Sequence, residues 1–279
     1  MTRRLATIGR LVGQTAISLG LVAGLSSGAW ATLATMDVNG VVFPVGLVPG
    51  GDQIQSGFIN ETSISNVGDT LSGVGYVNAI SVGSNISEQT WSNGQNGVML
   101  AFVFNGYTAS SITLPNGAAS GSVDFTGGTV NFYTLAAGTN LSLGSVAADE
   151  ALVQSGNLWM STSAAVEGAN GVSLVGILPP GDTAANIVNQ ASGNGYLDVT
   201  GGPAGASYQT GTFANPFDPA GASDLSFTTD FSNAPAGSDF PISGSATLKA
   251  NAVPEPMSAA LLGFGVLTLA FAYRRRAEG

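Results

Sequence analysis

The residues of this chain that could do chemistry are its acids, because the sequence contains no histidine and no cysteine. Catalytic triads, thiol nucleophiles and the usual zinc or haem ligands need one of those two residue types. Two carboxyl groups held about 5–10 Å apart in a cleft can hydrolyse a glycosidic bond. Strand periodicity does not by itself bring any pair together, so we predict that the protein is not an enzyme and keep a secreted glycan-active enzyme as an alternative. The candidate acids are Asp149, Glu150, Asp218, Asp224 and Asp230.

The same acids could hold a hard cation, because carboxylate, amide and carbonyl oxygens are the ligands that Ca²⁺ prefers. Asp218 and Asp224 flank a turn-rich stretch that also contains Asn215. The chain nevertheless has no Asp-x-Asn-x-Asp-Gly loop, the pattern by which a calcium loop is recognised. We therefore predict no cofactor and no metal site, with one structural Ca²⁺ at this stretch left open.

Aromatic side chains in polar surroundings could contact a carbohydrate, because Trp and Tyr combine an apolar face with a polar edge. Trp91 lies in the polar, turn-like stretch Thr90–Gly94, and Tyr208 lies in a stretch rich in glycine and alanine. These two residues are the predicted glycan contacts of a carbohydrate-binding module, the second alternative. Trp159 has apolar neighbours and is expected in the core.

The charge of the chain excludes one class of partner. Fifteen of the 17 acidic residues fall between Thr32 and Val253, where Lys249 is the only basic residue, so this body carries a net charge of about −14. Such a surface repels phosphate backbones and excludes nucleic acid. Two interpretations remain, namely attraction of divalent cations or basic partners and plain solubility through net charge.

The body is predicted to be mainly β, an antiparallel β-sandwich or jelly-roll-like fold, held by its core alone because no disulfide can form. Val98–Phe104 is a continuous apolar run, typical of a strand buried on both faces. Ser122–Phe125 and Thr129–Thr134 alternate on either side of two glycines and predict a hairpin. The other predicted strands are Gly73–Ile80, Leu158–Ser163, Val172–Leu178, Tyr196–Thr200, Asp224–Phe231 and Ser243–Lys249.

Two short helices are predicted among these strands, at Ala147–Gln154 and at Thr183–Gln190, where Asp182 could cap the second. Pro203–Ala222 is rich in Gly, Ala and Pro and is predicted to be a long surface loop. We see no repeat of fixed length and no internal boundary. The prediction is therefore one exported β-rich domain over residues 32–250.

The N-terminus has the three parts of a secretory signal peptide. Three arginines in the first ten residues form the basic part, and Leu11–Leu25 forms the apolar part. Ala29 and Ala31 form an Ala-x-Ala site, which places cleavage after Ala31. Residues 1–31 are therefore predicted to direct export through the general secretion machinery and then to be removed.

The C-terminus is predicted to hold the chain in a membrane before processing. Its two prolines cannot sit inside a helix, since each lacks an N–H and disfavours helix in the preceding residue. Met257–Tyr273 carries no charge and would be about 25 Å long as a helix, at the short end of what crosses a bilayer. Arginines directly after it are costly to translocate, so we expect the body outside and these in the cytoplasm. The prediction is a sorting tail over 251–279 with a transmembrane helix at 257–273, a motif of Val253, Pro254, Glu255 and Pro256, and a stop signal of Arg274, Arg275 and Arg276.

This order of Val-Pro-Glu-Pro, short apolar helix, arginine cluster and chain end resembles the PEP-CTERM sorting signal of Gram-negative bacteria that make exopolysaccharide. The resemblance implies exosortase as a partner, a membrane transpeptidase-like protease that recognises the tail and cleaves near the motif. It covers Val253–Gly279. An ordinary C-terminal anchor that is never processed is the alternative.

The body is also similar to a flocculation-associated group of exported PEP-CTERM proteins. That likeness implies a non-enzymatic role in the extracellular matrix, in biofilm and floc formation with exopolysaccharide, and brings no catalytic or binding residues. The implied location is the inner membrane during processing and afterwards the cell surface or matrix. The similar blocks, in chain order, are Gly73–Val77, Phe102–Tyr107, Phe125–Tyr133, Leu197–Gly202 and Asp224–Phe227.

Overall fold

The structure, a computed structural model, describes residues 34–46, 51–83, 88–141, 144–181, 191–234, 237–238 and 240–253. The chain divides into residues 1–34 and 35–279, and every described residue except Ala34 belongs to the second unit. Three predicted segments lie outside the described residues: the signal peptide with Ala29 and Ala31, the helix at Thr183–Gln190, and the tail from Pro254 onward.

The described part of the chain is mainly β, as predicted. One helix spans Val146–Gln154 and a shorter one spans Gly205–Tyr208, with single 3₁₀ turns at Gln95–Gly97 and Ala169–Gly171. The strands are β1 (Ala34–Val38), β2 (Val41–Val45), β3 (Asp52–Glu61), β4 (Thr70–Tyr76), β5 (Ala79–Ser81), β6 (Gln89–Ser92), β7 (Val98–Thr113), β8 (Gly121–Thr126), β9 (Thr129–Ala136), β10 (Asn157–Ala164), β11 (Val172–Leu178), β12 (Ala191–Gly201), β13 (Phe213–Ala214), β14 (Ala222–Ser223), β15 (Leu225–Asn233) and β16 (Ile242–Ala250).

Eight strands of one sheet close into an antiparallel barrel. From β7 the ring runs through β8, β11, β12, β15, β16, β3 and β4 and returns to β7. β4 pairs with β3 on one side and with β7 on the other, and this double pairing closes the ring. The antiparallel class is confirmed. The arrangement differs from the predicted two-sheet sandwich, because the sheet has no gap between β3 and β7 at which it could separate into two layers.

Two positions of the ring are each filled by two consecutive strands. The first half of β7, Val98–Asn105, pairs with β9, while its second half, Thr108–Thr113, pairs with β8. On the opposite side, β12 pairs in the same way with β11 and then with β10. The predicted hairpin is therefore wrong, because β8 and β9 follow each other along β7 in one direction and do not pair with each other.

Two glycines with positive φ connect β8 to β9. Gly127 has φ 70° and Gly128 has φ 110°. Residues other than glycine rarely adopt these backbone conformations. The Tyr107 ring lies against Gly128, where a Cβ would overlap it. Gly128 thus leaves room for the Tyr107 ring, which is buried.

β7 has two buried faces, as its continuous apolar sequence predicted. Leu100 and Phe102 belong to the core cluster inside the barrel. Met99 and Val103, on the alternate face, belong to a second cluster that the helix Val146–Gln154 covers. This helix confirms the one predicted at Ala147–Gln154.

Aromatic side chains fill one part of the main core. Phe43 of β2, Trp159 of β10 and Tyr208 lie with ring centroids 5.0–5.8 Å apart, and each is 0% exposed. Phe132 of β9 continues the cluster, 6.3 Å from Trp159 and 5.6 Å from Phe102. The prediction that Trp159 belongs to the core is confirmed.

Candidate functional site

The two aromatic residues predicted to contact a glycan are both buried. Trp91 in β6 is 1% exposed, because Thr90 and Ser92 take the opposite face of the strand. Tyr208 is 0% exposed within the aromatic cluster. The prediction of Trp91 and Tyr208 as glycan contacts is therefore wrong. The polar neighbours of Trp91 lie on the exposed face of β6, whereas the indole lies on the buried face.

Some of the acids predicted as candidates meet, and others do not. Asp198 of β12 lies near Asp218 and Asp224; burial raises its pKa, and the negative charges of the other two raise it further. Asp230 lies further along β15 and is exposed. Two of the predicted acids, Asp218 and Asp224, therefore share a neighbour, Asp198, that the sequence did not indicate.

Asp224 and Asn215 hold the polypeptide around residues 203–222 in place. Asp224 accepts hydrogen bonds from the backbone N–H of Val199 at 2.8 Å and of Gly211 at 2.7 Å. Asn215 is 0% exposed and donates to the carbonyl of Val166 at 2.7 Å. In the described ranges, no three Asp or Glu side chains are placed to hold one metal ion. The side chains at which a Ca²⁺ was left open thus make hydrogen bonds within the protein. The segment predicted as a long surface loop is partly buried, since Ala204, Tyr208 and Asn215 are each 0% exposed.

Asp149 and Glu150 lie on the helix Val146–Gln154. Ser145 caps this helix by accepting the N–H of Ala148 at 3.2 Å, and Asp149 stands in the first turn, where the helix dipole favours an acid. Adjacent residues of a helix do not face each other. The pair is therefore not arranged as the two facing carboxyl groups that glycoside hydrolysis requires.

A polar face on the outside of the barrel is the best candidate for a binding surface. It forms where β12, β15, β16 and β3 run side by side, and two rows of side chains cross these strands. Cross-strand partners place each row in register. We call these eight residues the polar face: Tyr196, Ser226, Lys249 and Gln53 in one row, and Asn194, Thr228, Thr247 and Gln55 in the other.

A shallow depression of about 210 Å³ lies along the polar face, lined by the six residues on β12, β15 and β16 together with Gly195 and Phe227. Neighbouring strands are about 4.8 Å apart, so the rows present hydroxyl, amide and ammonium groups at a regular spacing. Lys249 is exposed and is the one basic side chain in the described part of the chain. Such a surface can donate and accept hydrogen bonds along an extended, hydroxyl-rich ligand.

Hydrogen bonds fix both edges of the polar face. At one edge the amide of Asn194 donates to the carboxyl of Glu167, whose pKa burial raises to about 7 while this bond opposes the shift. At the other edge Gln55 Nε2 donates to Gln53 Oε1 at 3.1 Å. These side chains are therefore already oriented before any ligand arrives.

The polar face was not predicted from the sequence, although the strands that carry it were. Tyr196–Thr200, Asp224–Phe231 and Ser243–Lys249 overlap β12, β15 and β16, and each alternates between apolar and polar residues. The alternation was the available signal. The pairing of distant strands, which a single sequence does not contain, was needed to bring the rows together.

No protein-family model matches the chain, and no curated protein or solved structure is detectably similar to it. Within the ranges that the structure describes, neither helix has the length and apolar content that a bilayer crossing needs. The predicted membrane helix at 257–273 lies outside those ranges.

Proposed function

We propose that this chain is a non-enzymatic protein of the cell surface or extracellular matrix of a Gram-negative bacterium, where it contributes to biofilm or floc formation with exopolysaccharide. The signal peptide, residues 1–31, delivers it to the secretion machinery. The tail, residues 251–279, holds it in the inner membrane and presents it to exosortase. One observation carries the proposal: a secretory signal at one end and a Pro-Glu-Pro, apolar helix and arginine tail at the other occur on the same chain.

The body suits a durable scaffold outside the cell. Its sheet closes into a ring, which removes most of the unpaired strand edges that lead to aggregation. Trp91, Tyr107, Trp159 and Tyr208 are buried in its core, and the sequence contains no cysteine, so the core holds the fold without a disulfide. The exterior presents Ser, Thr, Asn and Gln, as the polar face illustrates. These features support a protein that acts through its surface.

Mass spectrometry of the protein recovered from cells tests the export and sorting steps. We expect an N-terminus at Thr32, a C-terminus near Pro254–Pro256, and recovery from the envelope or matrix. Replacing both prolines by alanine should leave the tail uncut, while Met257→Leu in the apolar run should be processed like the wild type. A full-length chain in the cytosol, uncut at both ends, would contradict the proposal.

Deletion of the protein tests the matrix role separately. We expect floc or biofilm cohesion to fall without a change in growth, and to return when the wild-type chain is restored. Unchanged aggregation in the deletion strain would count against a matrix role even if the tail is processed as expected.

We place polysaccharide contact on the polar face, since this surface favours a carbohydrate-binding role. Tyr196→Ala is expected to weaken binding of the producer's exopolysaccharide roughly five- to tenfold, because it removes the one aromatic ring of the face. Phe217→Ala is the matched control, since Phe217 is 53% exposed and lies outside the face. Affinity electrophoresis on both variants measures the effect, and an equal loss in both would contradict this assignment.

A secreted glycan-active enzyme is the alternative from another class. It would release reducing ends from the same polysaccharide. Loss of that release in Asp218→Asn or Asp224→Asn, the acids that meet near Asp198, would favour it over a binding role.

A further inference from the structure

The inside of the barrel contains a cavity with two lobes of about 60 Å³ each. The two lobes are adjacent, because four residues line both of them: Glu61, Leu71, Leu174 and Phe231. The accessible wall is almost entirely apolar. The aromatic rings that line the first lobe are those of Phe102, Phe104, Tyr107, Phe132, Phe227 and Phe231.

Glu61 is the only charged side chain among the described residues that line the lobes. It is the last residue of β3 and is 4% exposed, and its Oε2 has no hydrogen-bond partner. Lys249, the only basic side chain among the described residues, is exposed on the outer face. An unpaired carboxylate among apolar side chains is strongly unfavourable, and burial raises the pKa of Glu61 well above its ordinary value.

Two further oxygen atoms in the first lobe are in the same condition. The hydroxyl of Tyr107 and Oγ1 of Thr229 are buried without hydrogen-bond partners, and both residues line this lobe. Buried polar atoms are nearly always paired, so three unpaired oxygens beside one cavity indicate a missing partner. The Glu61 carboxyl only accepts once it has lost its proton, and each hydroxyl oxygen can accept as well as donate, so one partner that supplies several N–H donors can satisfy all three oxygens.

We propose that this cavity binds a small primary amine in its protonated form, with the ammonium group at Glu61 and the hydrocarbon part in the apolar lobes. A primary ammonium has three N–H donors and no acceptor, which matches the three unpaired oxygens in number. Its charge compensates the carboxylate in an environment where no described cation does so. Phenylalanine rings line the same lobe, and aromatic faces attract a cation.

The size of the lobes limits the ligand. Together they are smaller than the cavity of about 150 Å³ that accepts benzene in an engineered protein. A short alkylamine such as n-butylamine fits this limit, and n-butanol is its neutral counterpart of nearly the same shape. The comparison of these two compounds isolates the charge.

Titration calorimetry of the purified full chain at pH 7.5 tests the proposal. We expect n-butylamine to bind at least about tenfold more tightly than n-butanol. Glu61→Gln keeps the side-chain volume and should abolish that preference. Asp52→Asn is the matched control, because Asp52 is also a buried acid but does not line the cavity, and it should leave the preference intact.

Proton release provides a second measurement that needs no variant. Among the described residues that line the lobes, Tyr107 is the only other titratable side chain, and burial raises its pKa, so Glu61 is the group that must lose a proton when the ammonium binds. Calorimetry in buffers of different ionisation enthalpy should therefore show proton release, with affinity rising between pH 6 and pH 8. Equal affinities for the amine and the alcohol, no proton release, or unchanged amine binding in Glu61→Gln would each overturn the proposal.

Discussion

Asp52→Asn is expected to raise the free energy of unfolding at pH 8 by about 2–4 kcal/mol and to change it far less at pH 4. Asp52 is 0% exposed, and neither of its carboxyl oxygens makes a hydrogen bond of ordinary geometry. Burial raises its pKa from 3.8 to about 7, an effect that the nearby backbone N–H of Ala252 only partly offsets. At pH 8 the folded protein must therefore hold a buried charge that asparagine does not carry.

The same loss of stability with rising pH is expected for the protein as a whole. Asp52 and Glu167 both have pKa values raised to about 7, and that of Glu61 is raised well above its ordinary value. The folded chain thus binds protons more tightly than the unfolded chain, which adds stability below the unfolded pKa values near 4 and loses it as pH rises through the folded ones. We expect the unfolding temperature to fall between pH 4 and pH 8, measured by calorimetry.

Asp69 provides a control of opposite sign. It accepts backbone N–H groups from Ser65 and Asn66, each at 2.8 Å, and these bonds lower its pKa. Its contribution to stability is therefore present above its ordinary pKa and is lost as pH falls below it. Asp69→Asn should reduce stability at pH 7 and have less effect at pH 3.

If Asp52→Asn destabilises at pH 8, or acts equally at pH 4 and pH 8, the buried-charge argument is wrong.

The sequence pattern correctly predicted those features that depend on a single strand or helix. The apolar run in Val98–Phe104 predicted a strand buried on both faces, and the helix at Val146–Gln154 was predicted to within one residue. Trp159 was placed in the core from its neighbours. These features depend on side-chain period and burial within a single segment.

Features that depend on pairing between distant segments could not be predicted. The alternation around Gly127 and Gly128 is the same for a hairpin and for two strands in line, and only the length of β7 decides between them. Glu61 has no local mark that separates it from a solvated acid, because the residues that line the cavity beside it, such as Leu174 and Phe231, are distant in sequence. The burial of Trp91 could have been predicted, because side chains alternate along a strand and this alternation places Trp91 on the face opposite Thr90 and Ser92.

Closure of the barrel leads to the second large expected effect. Gly75→Ala is expected to lower the free energy of unfolding by about 3 kcal/mol, because β4 passes between β3 and β7 without room for a side chain there. A Cβ at this position would overlap the Phe102 ring and lie 2.6 Å from the carbonyl oxygen of Phe58. Gly75 is paired with Ile59 on one side and with Phe102 on the other, so its backbone cannot move away from both.

Gly176→Ala is the matched control for this effect. Gly176 also lies within a barrel strand, β11, but the atom nearest to its added Cβ would be the carbonyl oxygen of Val123 at 3.6 Å, an ordinary contact. Alanine there should be neutral or should stabilise by up to about 1 kcal/mol, since it reduces the freedom of the unfolded chain. Denaturant unfolding of both variants measures the difference. If both glycines tolerate alanine equally, the tight passage of β4 is not what limits closure.

A double-mutant cycle separates this steric cause from a general weakness of the strand. Phe102→Leu removes part of the ring that the new methyl group would overlap, at a cost of its own to the core. If closure is limited by that overlap, Gly75→Ala should cost less in the Phe102→Leu background than alone, by about 1 kcal/mol or more. Additive effects would instead assign the loss to the Phe58 carbonyl, since the backbone of β3 is the remaining neighbour. Hydrogen exchange should then report faster opening along β3 than along β7, because the variant would loosen the β3–β4 pairing first.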